Sequence, residues 1–415
     1  MEDYYQYVIV GASAAGMAAA HTIRQCDHEV SIGIFTDEMD APYFRPLIPF
    51  LVSGKKKAAD MSMIGSGPYV EKNITINTGM RVIGLNISQK QIVLTDRSTV
   101  SWDKLLLATG SHPYMPKNID GLFTSGVFAL RTLSDARQMA KYVEQTKHAI
   151  MLGGGILNLK TAFALLEKGL NVTLVVYSPE VLSQLMEPED AFLIRKALDK
   201  AGLKIITGVN AKAVLSEKGK VKGIMLDNGS ELPCQMVCIG KGVRANVNFL
   251  ADSGISVNKG IIADKYAACN LPDVFTAGDV AVTYDPVSGA PMMTALWTNA
   301  VEMGRCAGKN MVGIKTIYSG TFGILNATHV ADEPFVSMGT VHTNSVDYEV
   351  YRYHKNNSYR KLVFSPDGKQ LIGAVFVGNI QNAGLYRYVI REKMNINHLK
   401  QNLIDHSLHY GHLLK

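Results

Sequence analysis

The run Gly11-Ala12-Ser13-Ala14-Ala15-Gly16 follows the apolar segment Tyr7-Val8-Ile9-Val10 and leads into the alanine-rich Met17-Ala18-Ala19-Ala20. Strand, tight turn and helix in that order present backbone N–H groups to a pyrophosphate. Gly11 permits the turn. Ser13 is small enough for the backbone to approach phosphate and can itself donate to it, and Gly16 lets the helix pack close to its strand. The N-terminus of the helix then offers its unpaired N–H groups to the same anion. A second strand is expected over Val30–Phe35, which supplies a strand–helix–strand setting. Roughly 20 residues beyond the turn an acidic side chain should read a ribose hydroxyl. Thr36 holds that place and Asp37 and Glu38 follow it, so the carboxylate is present but displaced.

A similar unit recurs further on: strand His148–Leu152, turn Gly153-Gly154-Gly155, a helix expected from Ile156 to Lys168, and a strand from Asn171 to Tyr177. Its third small position is Asn158, where glycine or alanine would let helix and strand approach. No carboxylate closes the next strand at Val176-Tyr177-Ser178, and no arginine stands there for a 2′-phosphate; Ser178 is the polar candidate and Glu180 the nearest charge. Lys160, early in the helix, could meet a pyrophosphate as a point charge. Two readings stay open: a working nicotinamide site using Gly153, Gly155, Asn158, Lys160, Ser178 and Gly240, or a nucleotide fold that no longer binds nucleotide.

The elements that position these turns need room, and 415 residues allow two to three domains. Hydrophobic residues make up 47% and charged ones 19%, ordinary globular usage that excludes wholesale disorder. The net charge of +6 is spread along the chain apart from Lys55-Lys56-Lys57, which is no basis for nucleic-acid binding and a mild pointer to acidic partners. Five scattered cysteines, Cys26, Cys234, Cys238, Cys269 and Cys306, form no Cys-x-x-Cys pair, so neither a disulfide framework nor a zinc ribbon is expected. With no apolar run of membrane-spanning length and an acidic Met1-Glu2-Asp3 start, a cytoplasmic location is expected.

Three more segments extend the pattern: Leu105-Leu106-Leu107-Ala108-Thr109-Gly110, Val237-Cys238-Ile239-Gly240-Lys241-Gly242, and Val274-Phe275-Thr276-Ala277-Gly278-Asp279. With both glycine turns, in this order, they resemble the two-dinucleotide-domain flavoproteins of the pyridine-nucleotide-disulfide oxidoreductase superfamily. Pro42-Tyr43-Phe44-Arg45-Pro46-Leu47 and Ala295-Leu296-Trp297-Thr298-Asn299-Ala300 point within it to the branch of rubredoxin and ferredoxin reductases, NADH oxidases and nitrite reductase flavin modules. The resemblance implies an α/β fold with two Rossmann-like domains and a C-terminal α+β interface domain. FAD would bind a discontinuous domain at 1–112 and 240–315, NAD(P)H a domain at 113–239, and residues 316–415 would form the interface domain. It also implies that Asp279 accepts from the ribityl chain while Gly278 lets backbone come close. Arg45 and Arg131 would face the pyrophosphate, Val82 beside Arg81 the adenine, and Ala108, Thr109 and Gly110 the middle of the cofactor. Trp297 would open a helix capped by Thr298 or Asn299 and aimed at the flavin N1/O2 edge, where a helix N-terminus stabilises negative charge.

The sequence departs from disulfide-reducing relatives, since no cysteine lies between Cys26 and Cys234 and no C-terminal His-Glu pair is evident. Thiol–disulfide relay is therefore not expected, and Cys234 and Cys238 are read as buried apolar residues. Electrons would pass from NAD(P)H through FAD directly to an iron-sulfur protein of ferredoxin or rubredoxin type, another subunit or oxygen. The alternative is an FAD-binding electron-transfer subunit of a larger complex whose nicotinamide site is degenerate. Short alternating runs from about Tyr318, with a turn at Pro366-Asp367-Gly368-Lys369, suggest hairpins in a domain used for a homodimer or hetero-oligomer. His406, His409 and His412 would share a face were the tail helical, although an exposed tail rather than a metal site is expected.

Overall fold

The computed structural model describes residues 3–64, 74–286, 288–321, 324–343 and 347–414. Two compact units make up the chain: Met1–Tyr114 with Arg131–Arg137 and Val243–Thr321, and Met115–Leu130 with Gln138–Gly242 and Phe322–Lys415. The second unit thus holds both the segment expected to bind NAD(P)H and the C-terminal segment.

In the first unit a parallel ladder runs Ile74–Asn77, Ile32–Phe35, Tyr4–Val10, Thr99–Leu107, with Val274–Thr276 also parallel to the last. Beyond Tyr4–Val10, Thr99–Leu107 serves two more partners because it is long: Thr99 to Ser101 pair antiparallel with Gln91–Val93, while Leu105 to Leu107 pair with Val274–Thr276. Leu105, Leu106 and Leu107 are all buried, as a strand covered on both faces requires. The second strand begins at Ile32 rather than Val30, since Ser31 instead exchanges hydrogen bonds with the Gln6 side chain and backbone. Helix Ala14–Cys26 packs on helix Trp297–Met311 through small residues. Gly304 lies against the Ala15 carbonyl and Gly308 against Ala19, where any side chain would force the helices apart.

The second unit has its own parallel sheet, ordered Lys204–Thr207, Asn171–Val176, His148–Leu152, Met236–Ile239, Val127–Phe128. Helix Ile156–Glu167 crosses it, ending one residue earlier than expected because Lys168 caps it. The same unit carries a five-stranded antiparallel sheet: Leu325–Val330, Glu333–Gly339, Leu371–Val377, Ser358–Phe364, Glu349–Lys355. Leu371–Val377 is buried at every residue. One face of this sheet is covered by helix Ala383–Arg391, with Tyr386 edge-on to Phe376 at 5.0 Å.

The other face meets residues 185–192 through a buried ionic cluster. Lys361, wholly buried, bonds Glu187, Asp190 and the Val341 carbonyl, and Arg352 reaches the same two carboxylates. Burial by itself would raise the Glu187 carboxyl, but Lys361 and the Thr343 N–H and hydroxyl hold it down to about 2.

The tail is not helical enough to align all three histidines, and its short turn brings only the His409 and His412 rings together, at 3.7 Å. Only Tyr410–Leu413 forms a 3₁₀ turn, and His406 sits at φ +58°. Among the described residues no group of three or more potential metal ligands gathers, and no helix is long and apolar enough to cross a membrane.

Candidate dinucleotide sites

In the first unit the turn is built as its residue types require. Gly11 has φ +116°, and a Cβ there would overlap the Ala108 carbonyl. A Cβ on Gly16 would strike the Gly11 carbonyl, so helix and strand meet at backbone distance. Ser13 is the N-cap of helix Ala14–Cys26 yet makes no side-chain cap bond, and the first turn carries no acid. The first N–H groups, at Ala14, Ala15 and Gly16, have no intrahelical acceptor and the local charge favours an anion.

Arg45 and Arg131 converge beside this turn. Arg45 Nε lies 3.5 Å from Ser13 Oγ, and its Nη1 donates to the Arg131 carbonyl at 2.7 Å. Arg131 Nη2 pairs with Asp279 Oδ2 at 2.7 Å, and Ser111 Oγ donates to the same oxygen at 3.0 Å. Gly278, at φ +81°, lies against Ala15, and Gly110, at φ +65°, faces the Arg131 guanidinium. Thr109 is held by reciprocal bonds with Asn246, at 2.9 and 2.8 Å. One chain of contacts therefore gathers Ser13, Arg45, Arg131, Asp279 and Gly110.

Other expected residues have different surroundings. Glu38 accepts from Arg45 at 2.5 Å and from the Tyr43 hydroxyl at 2.6 Å, whereas Asp37 is exposed. Burial pushes the Tyr43 hydroxyl up, against the pull of Arg45, so it stays a donor. The Val82 side chain is buried in the core with Leu94, Val100 and Trp102, which leaves only its backbone for an adenine. Trp297 does open a helix, and its ring lies 5.9 Å from that of Phe44. The expected caps are corrected: Leu296 is the N-cap, and Asn299 sits inside the first turn, buried, donating to Thr294 Oγ1 at 3.0 Å.

Sequence reasoning gave no role to Ser111, Asn246 and Asp135. The last accepts from the N–H groups of Arg131 and Thr132 at 3.0 and 2.7 Å and so fixes the Arg131 backbone. Thr132-Leu133-Ser134-Asp135 is the S/T-x-x-D/E pattern of a helix start, a signal that was there to be read.

The second unit repeats the first turn. Gly153 has φ +107° and abuts the Gly240 carbonyl as Gly11 abuts that of Ala108. Gly155 caps helix Ile156–Glu167 without a side-chain bond, with no acid in the first turn, and a Cβ there would meet nothing within 4 Å. Asn158 corrects the expectation twice. Its Nδ2 donates to the carbonyls of Leu152 and Gly153 at 2.9 and 2.8 Å, so the amide nitrogen is spent on the backbone of the turn itself. The close approach that a small third residue would provide comes instead from Gly240, where a Cβ would overlap that carboxamide. Burial lowers the Lys160 and Lys241 ammonium groups below their ordinary range. Ser178 Oγ accepts from Ser183 at 2.9 Å, and Glu180 pairs with Arg195 at 3.2 Å.

The donor sets fit the groups expected of them. An uncapped helix end with two guanidinium groups suits the FAD pyrophosphate, and a carboxylate set by Ser111 and Arg131 suits a hydroxyl-bearing chain. The second turn fits a dinucleotide through backbone N–H groups. Cys234 and Cys238 are buried, and burial pushes both thiols up to about 12, which leaves them protonated and unreactive.

Residues 5–304 match the pyridine nucleotide-disulphide oxidoreductase family, and the chain belongs to it. It is accordingly an oxidoreductase that works with FAD and NAD(P)H. Similar proteins include an NADH oxidase of Methanocaldococcus jannaschii, 30% identical over 77% of this chain and 72% of that one. Another is the epsilon subunit of an NADH-dependent phenylglyoxylate dehydrogenase of Aromatoleum evansii, 27% identical over 99% of this chain and 97% of that one. Among solved structures, a ferredoxin reductase of Rhodopseudomonas palustris shares the fold, with a TM-score of 0.88 over all of both chains at 23% identity.

Proposed function

We propose that this chain draws electrons from NAD(P)H and delivers them to a small iron-sulfur protein or to a partner subunit that carries a redox centre. The observation that supports this most is the pair of glycine turns built alike in one chain, each ahead of an uncapped helix, with Arg45, Arg131 and Asp279 gathered at the first. FAD, when bound, supplies the conversion between a two-electron donor and one-electron acceptors.

The residues divide the work. The N–H groups at Ala14, Ala15 and Gly16 hold the pyrophosphate, with Arg45 and Arg131 neutralising its charge. Asp279 orients a ribityl hydroxyl and is itself aimed by Arg131 and Ser111. Gly155 and the N–H groups behind it receive the second dinucleotide, and Asn158 stiffens that turn from behind.

The buried, protonated cysteines offer no thiol relay, so the acceptor must approach the flavin itself. The surplus of six positive charges favours an acidic acceptor. Near end-to-end similarity to a dehydrogenase subunit supports a place in a multi-subunit assembly, with a homodimer as the other arrangement. Steady-state NADH oxidation by the FAD-loaded protein, with ferredoxin or rubredoxin as acceptor, tests the reading. Turnover that falls as salt rises from about 50 to about 500 mM agrees with acidic docking, because such attraction is screened over this range. Turnover indifferent to salt contradicts it.

A further inference from the structure

The five-stranded sheet of the second unit carries opposite chemistry on its two faces. Alternation along Ser358–Phe364 sends Tyr359 and Lys361 toward Glu187 and Asp190, and sends Arg360 to the other face. Lys361 is there matched by two carboxylates. Arg360, only 7% exposed, pairs with no carboxylate among the described residues. Its guanidinium lies 5.2 Å from the centre of the Tyr353 ring, directly across the ladder, and Nη2 donates to the Ile404 carbonyl at 2.7 Å. Its Nε is buried without a hydrogen-bond partner. A guanidinium withdrawn from water with no counter-ion is strongly unfavourable, and an anion beside it would remove the penalty.

Arg360 lines a cavity of about 500 Å³ together with Tyr351, Tyr353, Lys355, Asp405 and His406. His406 Nε2 is also buried without a partner, and the residue is held in the left-handed region at φ +58° with its ring stacked on Tyr386. The single acid, Asp405, accepts from Gln401 Nε2 at 2.8 Å. The cavity therefore has surplus positive charge, two unused buried nitrogen atoms and tyrosine walls. Its size is that of a small-molecule site.

We propose that this cavity binds a phosphate group, received by Arg360, His406 and Lys355, with Tyr351 and Tyr353 offering flat faces to whatever the phosphate carries. Two sources carry this group, free phosphate and the 5′-phosphate of a nucleotide. Hydrogen–deuterium exchange on the full FAD-loaded chain, with AMP and with inorganic phosphate as probes, reads the site separately from the nicotinamide turn. Protection is expected in residues 349–362 and 400–408, weakened by about tenfold or more in apparent affinity in Arg360→Gln and in Lys355→Gln. Lys355 is exposed, so its variant keeps the test sound if Arg360→Gln fails to fold. Any protection of residues 153–160 by AMP should be the same in all three proteins. AMP binding about tenfold tighter than phosphate assigns a nucleotide stacked on the tyrosines, and equal affinity assigns free phosphate. No protection of 349–362 by millimolar amounts of either probe overturns the proposal. So does protection that rises with protein concentration and ignores phosphate, which would assign the cavity to a second copy of the chain.

Discussion

Replacing Gly240 by alanine tests how the second glycine turn is held. Its φ lies outside the left-handed region, so alanine meets no backbone strain there, but the new methyl would overlap the Asn158 carboxamide. Overpacking of this kind costs about 1–3 kcal/mol. Asn158→Ala instead removes two hydrogen bonds, to the carbonyls of Leu152 and Gly153, at about 0.5–1.5 kcal/mol each. Independent effects would sum to roughly 2–6 kcal/mol. The geometry predicts otherwise, because alanine at 158 leaves space for the methyl. The double variant should be about as stable as Asn158→Ala alone, a coupling of about 1–3 kcal/mol. Urea unfolding of the FAD-loaded proteins, followed by far-ultraviolet circular dichroism, measures the cycle. Gly240 also supplies the carbonyl against which Gly153 turns, so Gly240→Ala should raise the KM for NADH more than it lowers kcat. Additivity within about 0.5 kcal/mol would refute the contact and the argument that Gly240 replaces the missing small residue.

Three further outcomes are expected. Lys361→Met leaves the buried carboxylates of Glu187 and Asp190 with the partly exposed Arg352 as their one buried-side cation in place of two, and should destabilise the protein by about 3–5 kcal/mol in thermal or urea unfolding. Glu187 titrates near 2 when folded against an ordinary 4.5, so its contribution is present above pH 4.5 and lost as pH falls toward 2. The stability gap between wild type and Lys361→Met should accordingly narrow over that window. Asp279→Asn gives up a charge-assisted pair with Arg131, and FAD affinity measured by flavin fluorescence should fall roughly tenfold to a hundredfold; Ser111→Ala should cost less.

Much of the fold could be read because apolar runs and glycine turns alternate along the chain. His148–Leu152 came out at its observed bounds, and Gly11, Gly16 and Gly153 have the close backbone contacts their residue type implied. Errors arose where a side chain answered to a partner distant in sequence. Asn158 read as a defect of the second turn, since nothing local reveals that Gly240, some eighty residues on, makes room for it. Thr298 and Asn299 looked like caps by residue type, but the helix starts one residue before Thr298 and buries Asn299 against Thr294. The cluster of Lys361, Glu187 and Asp190 joins residues more than 170 apart and follows no motif. Arg360 next to it carries no local signal either, since it is the sheet's two-sided packing that leaves it without a paired carboxylate among the described residues.

Anaerobic titration of the FAD-loaded protein with NADH and then NADPH, following the absorbance of oxidised flavin, addresses the central claim most directly. Rapid bleaching by one of them is predicted, because the second turn keeps its backbone donors and Asn158 supports it. A flavin that dithionite reduces but neither nucleotide bleaches would contradict the account and make the second dinucleotide fold a scaffold.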